Sequence, residues 1–284
     1  MITALRVDRF ITKLFGIVFI RTRRFIPIQL KLKIVRLRAK AFNMFSIIYI
    51  ETSSACNRRC SYCPNAKYDT GLIKNTKRMP LTLFHKFIDE LRELCWTGQI
   101  QLHYFNEPLL DERLPDLVKY TRNKLPTVSI SIFTNGDFLT IALYRKLVDS
   151  GVTDFVITQH SEERSKAVTG VLDYRSKHGD DGIRVYYVKL KLEFLSNRGG
   201  LVDFPHDNKG DNRFCLSPTA SLIIRHTGDV VLCCNDYFGI TSFGNVKDES
   251  LMHIWNTPLY KQLRGEVNKG IFNLEICKKC RYLL

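Results

Sequence analysis

Acidic residues are scarce in this chain of 284 residues: 28 Asp and Glu stand against 43 Lys and Arg, for a formal net charge of +15. Internal repeats and low-complexity tracts are absent. With 45% hydrophobic and 25% charged residues, the composition excludes wholesale disorder. An even number of cysteines is lacking too. Nine cannot all pair within one chain, and a chain of this length buries a core without a disulfide frame. Cysteines in that setting point to metal or catalytic chemistry.

The excess of positive charge is local. Residues 1–45 carry eleven Lys and Arg and a single acid, Asp8, a net +10 that leaves +5 for the other 239 residues. The longest uncharged stretch of this arm, residues 14–20, is far short of the roughly 20 residues of a membrane span. Arg21-Thr22-Arg23-Arg24 follows with no small-residue cleavage site, which argues against a secretory signal. Lys31 and Lys33 interrupt the apolar region that a twin-arginine signal would need. Leu5, Ile11, Leu14, Phe15 and Val18 recur at helical spacing between cations. The arm is therefore expected either to lie on an anionic membrane surface or to dock its apolar stripe on the protein itself. The mildly basic body has no aromatic base-stacking motif, so no nucleic-acid partner is expected.

From residue 46 onward, strand-like and helix-like segments alternate. Residues 46–51, 99–105, 128–133, 154–159 and 184–194 read as strands. Residues 81–95, with Phe84, Phe87, Ile88, Leu91 and Leu94 on one face, read as a helix, as do 112–122 and 141–148. Such alternation implies parallel strands with right-handed crossovers. About six such units between residues 46 and 200 suit a partial (β/α)6 barrel, since a full eight-fold barrel takes roughly 250 residues. Residues 201–214 read as a polar linker. Beyond it, 220–225 and 229–233 flank His226-Thr227-Gly228 as a hairpin, and 250–267 read as a helix broken near Pro258. The expected fold class is α/β: a basic arm over residues 1–45, a partial barrel over 46–204 and a small hairpin-plus-helix domain over 205–284.

Cys56, Cys60 and Cys63 follow the first predicted strand in a Cys-x3-Cys-x2-Cys pattern. Three thiolates on one short loop can hold three irons of a [4Fe–4S] cube and leave the fourth open to a substrate or cofactor. Structural zinc wants four ligands, and no fourth cysteine or histidine is nearby. Cys215, Cys233, Cys277 and Cys280 form a full four-thiolate set from the hairpin and the C-terminal segment, which suits either a zinc ribbon or a second cluster. Two cysteines remain. Cys95 ends the apolar stripe of the first helix and reads as a buried core thiol, while Cys234 adjoins Cys233 and competes with it as a ligand.

The segment ETSSACNRRCSYCPN resembles the signature of the radical S-adenosylmethionine (SAM) superfamily. In that family the open iron chelates the amino and carboxylate groups of SAM, and reduction of the cluster releases a 5′-deoxyadenosyl radical. The resemblance implies that Cys56, Cys60 and Cys63 hold this cluster, with Tyr62 in the usual aromatic position at the cofactor. Phe105-Asn106-Glu107-Pro108 resembles the family's Gly-Gly-Glu segment at the methionine amino group, with Asn106 in place of the second glycine. Thr134-Asn135-Gly136 resembles the segment near the ribose. All three follow predicted strand ends, where barrels gather their ligands. The second cysteine set, with GNVKDESLMHIWNTPLYKQLR, resembles a twitch-type SPASM domain. That implies one auxiliary [4Fe–4S] cluster on Cys215, Cys233, Cys277 and Cys280.

Further segments, FTNGDFLT, VITQH and LSNRGGLVD, resemble members of the family that oxidise a cyclitol alcohol. These abstract a carbinol hydrogen, lose a proton and pass the second electron to the auxiliary cluster. The resemblance sets Arg198 at the substrate hydroxyls, where its rigid fork of donors suits the task; a structural ion pair is its other reading. Two positions depart from those members: Phe133 replaces a tyrosine, and Cys234 replaces a phenylalanine that packs near the substrate. A thiol there can return hydrogen to the opposite face, as in related members that epimerise an aminoglycoside carbinol. The expectation is a radical SAM enzyme that acts on a carbohydrate, cyclitol or aminoglycoside-like small molecule. Epimerisation through Cys234, assisted by Arg198, is the expected outcome; two-electron oxidation is the nearest alternative and peptide modification the third. The implied partner is a flavodoxin or ferredoxin-type reductant. Both clusters need a reducing compartment, so the expected location is the cytoplasm, with the arm against the inner membrane face.

Overall fold

The computed structural model describes residues 44–68, 75–179, 182–190, 195–203, 215 and 217–281. Residues 1–43 of the predicted arm, residues 204–214 of the predicted linker, and the end of the last predicted barrel strand at 191–194 lie outside the described residues. Among the described residues no helix is long and apolar enough to cross a membrane.

The strands are β1 (Ile47–Ile50), β2 (Gln99–Gln101), β3 (Ser129–Thr134), β4 (Asp154–Gln159), β5 (Arg184–Lys189), β6 (Ser221–Ile224), β7 (Asp229–Val231) and β8 (Ser242–Asn245). They form one sheet in the order β5-β4-β3-β2-β1-β6-β7-β8. From β5 through β1 to β6 every pairing is parallel, whereas β6, β7 and β8 pair antiparallel. The first five strands come from the predicted barrel segment. The sixth parallel strand is β6, whose residues lie beyond the linker, with Ile47 opposite Ser221 and Ile50 opposite Ile224. Without it, β1 would present an open row of backbone donors and acceptors.

Period-two alternation sorts the barrel residues into two faces. Ile48 and Ile50 of β1 and Ile130 and Ile132 of β3 are fully buried in the apolar core. They share it with Phe84, Phe87 and Leu91 of α2 (Leu81–Glu93), Leu117 and Val118 of α3 (Leu114–Lys124), and Tyr144 and Leu147 of α4 (Ile141–Ser150). The short α1 (Asn65–Tyr68) follows the first cysteine loop, and α5 (Lys166–His178) joins β4 to β5. The opposite face carries Tyr49 on β1 and Ser129, Ser131 and Phe133 on β3. Toward the strand starts this face is filled by a polar knot in which Ser129 and Ser131 donate to Asp154, which also pairs with Arg184 at 2.5 Å. The carboxyl ends of the strands are left open for a site.

Three local outcomes differ from the sequence expectation or refine it. Strand β2 stops at Gln101 rather than 105, because the chain bends at Tyr104, whose N–H donates to the Asn106 side chain. The helix-break at Pro258 is real: α7 (Leu251–Trp255) ends before it and α8 (Pro258–Asn268) begins on it, with Pro in the first turn. Cys95 is not a core thiol. The chain turns left-handed there, with φ at 51°, which leaves Cys95 exposed and swings Trp96 into the core, where its indole N–H donates to the Phe45 carbonyl at 2.9 Å.

Candidate active site

The loop after β1 carries Cys56, Cys60 and Cys63, and neighbouring strand ends hold it in place. Glu107 N–H donates to the Ala55 carbonyl at 2.8 Å. The Arg58 guanidinium grips Asp137 through two bonds of 2.7 and 2.6 Å, and Asn57 donates to the same carboxylate at 2.7 Å. Asn135 in turn donates to the Asn57 side chain at 2.8 Å. Burial pushes the Cys56 thiol up to about 11 and also raises Cys63. Thiols grouped in a partly buried loop ionise poorly alone and readily against a metal centre, so this donor set fits an iron–sulfur cluster.

In the segment that follows β2, Glu107 is buried and acts as a strut. Its carboxylate accepts from Thr134 Oγ1 at 2.6 Å, Asn135 N–H at 2.8 Å and Leu109 N–H at 3.1 Å, which ties β2 to β3. Burial outweighs these bonds and lifts its pKa to about 7. Asn106 beside it spends its carbonyl oxygen on Tyr104 N–H, while its amide nitrogen is buried without a partner among the described residues. Tyr62 shares a hydrogen bond with His160, and the two rings stack with centroids 6.0 Å apart. Burial, helped by the charge of Arg58, lowers His160 to about 4, so its ring is neutral.

Arg198 arrives from a strained turn. Arg198, Gly199 and Gly200 all have positive φ, and a Cβ on Gly199 would lie 2.7 Å from Ile276. The turn docks on α9 (Glu275–Cys280), with Asn197 donating to the Lys279 carbonyl at 2.8 Å. Close backbone approach and left-handed geometry explain the paired glycines. Among the described residues Arg198 makes no ion pair, and its Nε is buried without a partner.

These elements enclose a cavity of about 270 Å³ that brings Cys56, Cys60, Cys63, Tyr62, Asn106, Glu107, Thr134 and Asn135 together with Arg198 and Cys234. The remaining predicted site residues, Cys215, Cys233, Cys277 and Cys280, line a second cavity of about 50 Å³ between α6 (Ser217–Ala220), the end of β7 and α9. Burial pushes Cys277 up to about 12 and raises Cys215, Cys233 and Cys280. Asn235 donates its backbone N–H to Cys233 Sγ at 3.4 Å and its side-chain amide to Cys280 Sγ at 3.1 Å, bonds that suit thiolate ligands of a cluster. Among the described residues no three such side chains close to the span of one metal ion; a four-iron cube takes a wider ring of thiolates. Cys234 lines both cavities, and among the described residues it alone does so.

Sequence reasoning missed several residues here, among them Arg58 and His160 of the first cavity. Tyr49 and His103 line the first cavity, and Asn235 contacts the second set of sulfurs. Tyr49 carried a usable signal, since period two puts it opposite Ile48 and Ile50.

Comparison with known proteins defines the class. Residues 50–182 match the radical SAM superfamily, and residues 215–281 match SPASM, an iron–sulfur cluster-binding domain. The chain belongs to the radical SAM superfamily, and SAM, its [4Fe–4S] cluster and an auxiliary cluster are its cofactors. Within that class it is 32% identical over 239 residues to the S-adenosyl-L-methionine-dependent 2-deoxy-scyllo-inosamine dehydrogenase of Niallia circulans, covering 84% of this chain and 93% of that protein. The solved structure of BtrN in complex with AdoMet and 2-DOIA matches with a TM-score of 0.74 at 32% identity, over the same 84% and 93%. A stretch of 105 residues is 27% identical to the tungsten-containing aldehyde ferredoxin oxidoreductase cofactor-modifying protein of Pyrococcus furiosus, covering 37% of this chain and 28% of that one.

Proposed function

We propose that this enzyme abstracts hydrogen from a carbinol carbon of a cyclitol, carbohydrate or aminoglycoside-like substrate, and that Cys234 returns hydrogen to the opposite face, inverting that carbon. The observation that carries this reading is the place of Cys234 on the wall shared by the two cavities. In this assignment Cys56, Cys60 and Cys63 hold the first cluster, and Cys215, Cys233, Cys277 and Cys280 hold the second. Tyr62, Asn106, Glu107, Thr134 and Asn135 form the SAM site. When bound, SAM and its cluster supply the radical that removes the carbinol hydrogen.

Arg198 holds substrate oxygen through its guanidinium, which makes no ion pair among the described residues. Cys234 gives its S–H hydrogen to the carbon radical, because that bond is weaker than a carbinol C–H bond. The sulfur then needs one electron and one proton to become a thiol again. The assignment of Cys233 rather than Cys234 as ligand is supported by the Asn235 N–H at Cys233 Sγ. Among the described residues Cys234 Sγ has only the Ser217 hydroxyl at 3.9 Å.

Replacing Cys234 by Ala tests the role of the thiol. The variant is expected to keep substrate-dependent 5′-deoxyadenosine formation while losing at least about a hundredfold in inverted product, since the hydrogen donor is gone. Unchanged inversion would remove Cys234 from the mechanism. Two-electron oxidation to a ketone is the second reading, favoured by the relationship over 84% of the chain to a protein named as a dehydrogenase. A one-electron reductant of the flavodoxin or ferredoxin type serves either reading.

A further inference from the structure

The first cavity has a wall that neither the cysteine loop nor the SAM motifs use, made by Tyr49, His103, Phe133, Arg198 and Cys234. Tyr49 stands on β1, half-buried, on the face opposite Ile48 and Ile50. Its ring meets that of His103 edge-on with centroids 5.6 Å apart, which fixes its direction. Among the described residues the Tyr49 hydroxyl makes no hydrogen bond. The enclosed orphan atoms of this wall are His103 Nδ1 and Arg198 Nε, and the Tyr49 hydroxyl is not one of them, so it keeps surface to offer a ligand. Burial, and then the neighbouring Cys234, push it well above the ordinary phenol range, so it stays protonated and uncharged beside that thiol.

The charges around this space are few. Among the described lining residues the one carboxylate is Glu107, and it is engaged by Thr134, Asn135 and Leu109. Arg58 is held by Asp137, which leaves Arg198 as the guanidinium without an ion pair. Arg198 lies within electrostatic reach of Cys63 in the first thiol set and Cys280 in the second, so thiolate charge on either side already faces a cation. A substrate therefore meets a neutral hydroxyl that can give or take a hydrogen bond and a guanidinium that can only give. Both suit substrate hydroxyls. An ammonium group in the same place would lose water, find no free carboxylate and share the cavity with a like charge.

We propose that Tyr49 sets substrate specificity: its hydroxyl bonds a hydroxyl of the reacting ring, and this wall selects a neutral polyol ring over one that carries an ammonium. This rests on the carbinol reading above and deepens it by naming the substrate class.

The test uses reconstituted, SAM-loaded holoenzyme at neutral pH with two probes, 2-deoxy-scyllo-inosamine and the same cyclitol with a hydroxyl in place of the amine. Equilibrium binding to the unreduced enzyme and KM for substrate-dependent 5′-deoxyadenosine formation are both read. Wild type is expected to favour the hydroxyl probe by about tenfold or more, the effect of an unpaired charge on the amine. Tyr49→Phe keeps the ring against His103 and should weaken the hydroxyl probe about fivefold, the worth of one hydrogen bond. Tyr49→Glu supplies the missing carboxylate and should reverse the order of the two probes, which a merely structural role would not produce. Iron content and SAM affinity report that each variant is folded. If wild type takes the amine probe as well as the hydroxyl probe, or if folded Tyr49→Glu leaves the preference unmoved, the role of Tyr49 is overturned and the carbinol reading stands. If neither probe binds or supports 5′-deoxyadenosine formation in wild type, the carbinol reading falls and takes this role with it.

Discussion

Glu107 shows how one side chain sets a pH response. Burial lifts its carboxyl to about 7 although three donors oppose the shift. Below that value the carboxyl takes a proton and the strut between the ends of β2 and β3 loses its charge. SAM affinity is therefore predicted to fall about tenfold between pH 8 and pH 6, tracking the ionised fraction, as read by equilibrium binding to the anaerobic protein. Glu107→Gln should bind SAM more weakly and without that slope. For folding the sign is opposite: the raised value means the folded chain holds the proton more tightly. The contribution of Glu107 to stability is thus full below about 4.5 and is lost as pH rises toward about 7. The cysteines and the other predicted residues that line the first cavity with them could be picked out in sequence because their motifs have a fixed spacing. His103 could not, since a single histidine after a short strand says nothing until Phe133, Tyr49 and Arg198 surround it.

Among the elements, two loops carry the site, and a salt bridge ties them. Arg58 of the cysteine loop and Asp137 of the loop after β3 are each only about a quarter exposed, and the guanidinium holds the Asp137 carboxyl below the usual carboxylate range. Asp137 also accepts from Asn57, so it fastens the cysteine loop at two points. Replacing Asp137 by Ala is predicted to loosen that loop and empty the first cluster preferentially. Iron per chain should fall from about eight toward about four while the auxiliary cluster remains. Retention of both clusters would show that the cysteines alone fix the loop. The strands and helices were largely legible from periodicity, with two informative failures. Strand β2 ends early because Asn106 competes for the Tyr104 N–H, and Cys95 leaves the core because the helix ends in a left-handed turn. Both are tertiary choices of individual side chains and backbone angles that a hydrophobic stripe does not encode.

For the molecule as a whole, the sheet matters more than the linker. A polar, Pro- and Gly-containing segment near residues 201–214 reads as a boundary, and β6, which lies beyond it, pairs in parallel with β1. The same hairpin then leads directly from β7 into Cys233 and Cys234, so one continuous sheet brings the second thiol set to the edge of the first cavity. That register pairs segments more than 170 residues apart, which no local pattern reports. The net charge of +15 has little bearing on the reaction, because two-thirds of it belongs to the arm. The question that the two cavities pose is what becomes of the substrate radical between them, and turnover in deuterium oxide answers it most directly. The account predicts an alcohol product inverted at one carbon and carrying one non-exchangeable solvent deuterium there, delivered through the exchangeable thiol of Cys234. A ketone product with no such label would contradict it.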